Sequence, residues 1–100
     1  MKPVEFHPEA RVELIESARF YEAQRPGLGR RFASAVRDAA QRIQTYPSSC
    51  RIVEDDFRQC RVLRFPYALV YRVRAGRVEI VAVMHLHREP GYRRSRLARD

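Results

Sequence analysis

One continuous stretch, Arg61 to Arg88, limits the fold more than any other: RVLRFPYALVYRVRAGRVEIVAVMHLHR. From Tyr67 to Arg74 the pattern alternates, with Tyr67, Leu69, Tyr71 and Val73 at one parity and Ala68, Val70, Arg72 and Arg74 at the other. A two-residue period belongs to a β-strand, whose side chains leave alternately from its two faces. From Val78 both parities are apolar: Val78, Ile80, Ala82, Met84 and Leu86 against Val81 and Val83. That pattern predicts a strand near the middle of a sheet, covered on both sides. Between the two strands, Ala75-Gly76 supplies the glycine that a tight connection prefers. The stretch therefore predicts a long β-hairpin, entered through Arg64-Phe65-Pro66-Tyr67 and left through His85-Leu86-His87-Arg88.

The chain before it supplies packing for this hairpin. Residues 2–6 predict a short strand. Pro8 suits the first position of a helix, where its missing N–H costs nothing, and Glu9 suits the first turn. This helix should run to about Gln24, with Leu14, Ala18 and Tyr21, flanked by Ala10, Val12 and Ile15, as its apolar stripe. Arg25-Pro26-Gly27 stops it. A second helix opens near Leu28 or Gly29, where Leu28, Phe32, Ala35/Val36, Ala39/Ala40 and Ile43 recur every three or four residues. Pro47 disfavours helix in the residue before it, which places the end at Thr45-Tyr46. So short a connection predicts an antiparallel helical hairpin. Arg51–Val53 and Phe57–Leu63 are further strand candidates around the acidic turn Glu54-Asp55-Asp56. The resulting order is β-α-α-β-β-β: an α+β domain, one unit over residues 1–100, with the helical hairpin on one face of a small antiparallel sheet. The other face should carry arginines from several strands.

Charge narrows the partners. The net charge is +8, and of the basic residues only Lys2 is not arginine. Residues 51–100 carry most of the excess. Arginine forks onto phosphate and carboxylate and stays charged when partly buried, so the imbalance predicts a nucleic acid or an acidic protein partner. No apolar run is long enough to span a membrane and the first residues lack the apolar core of a signal peptide, so the chain reads as cytoplasmic. Cys50 and Cys60 fit no metal-binding spacing, and a reducing compartment disfavours a bridge. His85 and His87 share a strand face, but two histidines without a third ligand do not make a metal site; neither metal nor cofactor is expected. Nucleotide-binding glycine motifs and zinc-protease motifs are absent. The residue types for acid–base work on a phosphodiester do cluster around the ends of the hairpin: Arg61 and Arg64, then His85, His87, Arg88, Tyr92, Arg94 and Arg96.

With the order of elements in place, several features together resemble the RelE/ParE toxin superfamily. They are Phe6-His7-Pro8-Glu9-Ala10, Tyr21 before Gly27-Leu28-Gly29 and Phe32, Pro47, Arg64-Phe65-Pro66-Tyr67 with Tyr71, and Ala82-Val83-Met84-His85 through Arg88, Pro90 and Tyr92. The hairpin ends look closer to the ParE-like branch; one departure is Arg93, where many relatives carry Trp. The resemblance implies the toxin of a type II toxin–antitoxin module, often called a plasmid stabilisation protein. It also implies a cognate antitoxin in a hetero-oligomer, and operator DNA contacted only through that antitoxin. The implied ParE-like activity is growth inhibition through DNA gyrase, without covalent chemistry. Arg64, His85, His87, Arg88, Tyr92, Arg93, Arg94 and Arg96 are the candidate contacts with target or antitoxin. RelE-like relatives instead cut mRNA on the ribosome, for which Arg61, Arg88 and Tyr92 would be the candidate catalytic set. A third expectation is a non-toxic member that serves as an antitoxin-binding co-repressor.

Overall fold

The structure is a computed structural model and describes residues 2–87. Strand β1 (Val4–Phe6) leads into helices α1 (Pro8–Gln24) and α2 (Leu28–Thr45). Strands β2 (Arg51–Glu54), β3 (Phe57–Val62), β4 (Tyr67–Arg74) and β5 (Arg77–His85) follow. They form one five-stranded sheet in the order β1-β5-β4-β3-β2. From β2 to β5 all pairings are antiparallel, whereas β1 lies parallel to β5, so the sheet is mixed. A parallel neighbour needs a crossover, and the two helices with β2–β4 provide it. Val78 N–H to Pro3 O and His7 N–H to Ile80 O extend that pairing at both ends. Beyond β1, the free edge of β5 is met by α1: the Glu13 carboxylate accepts the Val83 N–H at 2.9 Å.

Helix α2 follows its sequence pattern closely. Gly29, Phe32, Val36, Ala39 and Ile43 are its buried residues, at helical spacing, and they face β3 and β4. Helix α1 is held less deeply. Only Ala10 is fully buried, and Leu14, Ala18 and Tyr21 pack on the core from its rim. Val12 and Ile15, expected beside that stripe, are instead 52% and 45% exposed. The helices approach closely at Gly29, where a β-carbon would stand 2.5 Å from the Ala18 carbonyl oxygen. Between them, the Glu22 carboxylate accepts N–H bonds from Gly27 and Gly29 and so caps the start of α2.

The hairpin is present, with one change of parity. Tyr67, Leu69, Tyr71 and Val73 all join the helix-side core, as the alternation predicts. Ala75 and Gly76 both take left-handed φ, at 52° and 76°, which makes a two-residue turn suited to the twist of the strands. On β5, Tyr71 pairs with Ile80 and Val70 with Ala82, leaving Val81 as an extra, bulged residue. The bulge moves Val83 onto the helix side with Val78 and Ile80, while Val81, Ala82 and Met84 join a second cluster. The two parities expected for this strand thus exchange faces at Val81.

The second face also departs from the arginine-covered surface expected for it. Its middle is apolar, with Phe57, Ala68, Val70, Val81, Ala82 and Met84 buried together. Arg72 is buried there and donates to Glu79 at 2.9 Å, with its guanidinium over the Phe57 ring. Arg61 and Arg74 remain exposed.

Candidate functional site

The turn between β3 and β4 is built from Leu63, Arg64, Phe65 and Pro66, and it is anchored by rings. Phe65 lies edge-on to Tyr21 and to Phe32, with centroids 5.0 and 5.1 Å apart. Tyr67 lies 4.8 Å from Phe32 and 5.0 Å from His85. Burial, and secondarily Tyr67, push the Tyr21 phenol above its ordinary value, so it remains a neutral member of this cluster. With Phe65 fixed inward, Arg64 is held in the left-handed region at φ 72°, where a residue with a β-carbon is strained. Leu63 beside it is 60% exposed.

This turn forms one wall of a groove of about 890 Å³; the other wall is α2. Arg30, Arg31, Ser34, Ala35, Asp38 and Arg42 line the helical side, and Leu63, Arg64 and Phe65 line the turn. Arg30 and Arg31 sit in the first turn of α2, the positive end of the helix dipole, where basic residues are least favoured. Among the described residues no salt bridge reaches Arg30, Arg31 or Arg64. Arg42 is tied to the floor, donating to Arg61 O at 2.8 Å. The groove thus combines uncompensated guanidinium groups with aliphatic surface and one carboxylate. Chemically it suits carboxylates presented on an apolar backing, which arginine can grip in pairs.

The residues singled out from sequence do not all meet here. Arg64 lines the groove. Arg61 lies between the helix-side residues Cys60 and Val62, so its side chain leaves on the opposite face. His85 and His87 lie near each other, with ring centroids 5.4 Å apart, and the His87 N–H donates to His85 Nδ1 at 3.1 Å. His85 Nδ1 is therefore an acceptor that closes the end of β5. Arg88, Tyr92, Arg93, Arg94 and Arg96 lie outside the described residues. Arg30, Arg31 and Arg42 are not among the site residues expected from sequence. Their spacing was visible, but nothing local showed that the β3–β4 turn would stand opposite them.

A second groove, of about 440 Å³, runs between the two helices and is lined by Leu14, Ile15, Ala18, Gly29 and Ala33, with Arg19, Glu22 and Arg30 at its rim. Among the described residues no helix is long and apolar enough to cross a membrane.

A mixed five-stranded sheet with a helical hairpin on one face, an arginine groove and an apolar interhelical groove describes a small domain equipped for macromolecular contact. The sequence matches the family described as the ParE toxin of the type II toxin–antitoxin system parDE over residues 4–90, and the chain belongs to that family. No curated protein matches it in sequence. Among solved structures it is similar to a chain of the chromosomal ParDE toxin–antitoxin system from P. aeruginosa, at a TM-score of 0.78 and 15% identity. The likeness covers 87% of this chain and 98% of the other, and it shows a shared fold.

Proposed function

We propose that this ParE-family toxin arrests growth by binding DNA gyrase through protein–protein contact, without covalent chemistry of its own, and is silenced by a cognate antitoxin. The arginine groove is the observation that carries this reading. Its guanidinium groups have no carboxylate partners among the described residues, and they stand on aliphatic surface beside the strained Arg64. Such a site favours fast, salt-sensitive association with an acidic protein surface. The apolar groove between α1 and α2, with Ile15 exposed in its wall, suits the apolar face of an antitoxin segment. Membership in a toxin–antitoxin family supports that partner, and the solved relative is itself described as a ParDE system. In this reading the toxin works in the cytoplasm as a hetero-oligomer with its antitoxin, and meets operator DNA only through it. In this reading His85, His87, Arg88, Tyr92, Arg93, Arg94 and Arg96 are further candidate contacts with target or antitoxin.

Ribosome-dependent mRNA cleavage by Arg61, Arg88 and Tyr92 is the competing reading, and a non-toxic co-repressor is the third. Conditional expression without antitoxin separates them. Under the gyrase reading growth stops, DNA breaks trapped on gyrase accumulate and the SOS response is induced. Codon-boundary cuts in mRNA with no SOS response would favour the nuclease, and undisturbed growth the co-repressor.

A further inference from the structure

Beneath the arginine groove lies a pair of thiols that the toxin reading does not use. Antiparallel pairing sets Arg51 opposite Gln59. Continued one residue beyond the start of β2, that register brings Cys50 beside Cys60. Both are free thiols and both belong to the helix-side core cluster. The Cys50 thiol contributes to the raised pKa of both Cys60 and Tyr71, which places it close to each. Directly opposed residues in an antiparallel ladder have α-carbons about 4.5–5.5 Å apart, within the roughly 4.4–6.8 Å that a disulfide spans. Two thiols on one face at such positions can join without rearranging the strands.

We infer that Cys50 and Cys60 form a thiol–disulfide modification site, oxidised by a hydroperoxide to an intramolecular disulfide and restored by small thiols. Cys60 is only 5% exposed whereas Cys50 is half-buried, so the oxidant meets Cys50 first. The Cys50 sulfur attacks the peroxide O–O bond; with hydrogen peroxide this gives a sulfenic acid and one water. The Cys60 sulfur then attacks the Cys50 sulfur. The S–S bond forms, the S–O bond breaks, and the departing hydroxyl takes the Cys60 proton as a second water. The two thiols lose two electrons and the peroxide gains them. Reduction by a small thiol runs through a mixed disulfide and yields that thiol's own disulfide.

Burial and the neighbouring Cys50 push the Cys60 thiol up to about 11, against the opposing pull of Arg42. This makes Cys60 a poor first nucleophile and leaves the attack on the peroxide to Cys50. Arg42 stands 3.9 Å from the Cys60 sulfur and also lines the groove, which links the pair to the proposed contact surface.

The test uses the reduced, full-length chain treated with stoichiometric hydrogen peroxide, then N-ethylmaleimide, and read by intact mass and peptide mapping. The expected product is monomeric, lighter by two hydrogens, takes up no maleimide, and regains both thiols with dithiothreitol. Closing the short loop between the cysteines should raise the melting temperature by about 10–20 °C. The Cys50→Ser chain should show no such mass loss. Maleimide on both sulfurs after peroxide, sulfinic acid at Cys50 without a crosslink, or crosslinks only between chains would each overturn the proposal.

Discussion

At Glu79 several opposing effects meet on one carboxylate. Burial alone would raise its pKa, but the Arg72 fork at 2.9 Å, reinforced by His7 and Arg77, outweighs it and holds the group below the ordinary value of 4.5. Arg77 reaches Glu79 at 3.4 Å and Glu5 at 3.3 Å, joining β1 to β5 on the second face. A lowered folded-state value means that the unfolded chain takes up the proton first as pH falls. The stabilisation is therefore complete above the ordinary value and disappears as pH drops through the lower, folded one. Glu79→Gln should cost about 2–3 kcal/mol at neutral pH, because it leaves Arg72 buried without its carboxylate. In urea unfolding measured across pH, wild type and variant should converge in acid; a constant gap down to pH about 2 would show that the charge is not what matters. This ion pair was not legible in the sequence. Arg72 and Glu79 are seven positions apart on two strands, and only the Ala75-Gly76 turn sets them opposite each other.

For the elements, α2 and the α1–α2 contact differ in how much local pattern decides. The apolar period of α2 names its buried residues almost one for one, since a helix face is set by stereochemistry within a few residues. The stripe of α1 was read too wide, because which of its residues are covered depends on how the helix lies across β5. Gly29 sets how closely α2 approaches α1, for a methyl there would collide with the backbone of α1 at Ala18 O. Gly29→Ala should therefore destabilise the protein by about 2 kcal/mol despite alanine's better helix propensity. A melting temperature that rises instead, as propensity alone requires, would show that the helices are free to move apart.

Taken as a whole molecule, the fold gathers four arginines from two distant segments into one groove. Under the proposed gyrase reading, replacing Arg30 and Arg31 with Glu should slow association with gyrase more than the same change at exposed Arg11 and Arg37. Both pairs alter net charge equally, so surface-plasmon rates separate a local contact from general attraction. Wild-type association should also slow by roughly tenfold between about 0.05 and 0.5 M salt. Equal effects of the two double variants would remove the groove from the contact.

The sequence by itself determined the two helices, the hairpin and its turn, the order of elements, and enough scattered identities to indicate the toxin family. Those features depend on neighbours a few residues apart or on residues kept in a given order. Tertiary structure alone decided the parallel β1, the bulge at Val81, the apolar second face and the groove that gathers Arg30, Arg31, Arg42 and Arg64. Each arises from segments distant in the chain, whose register and separation are set by packing, and packing is a property of the assembled core rather than of any local pattern.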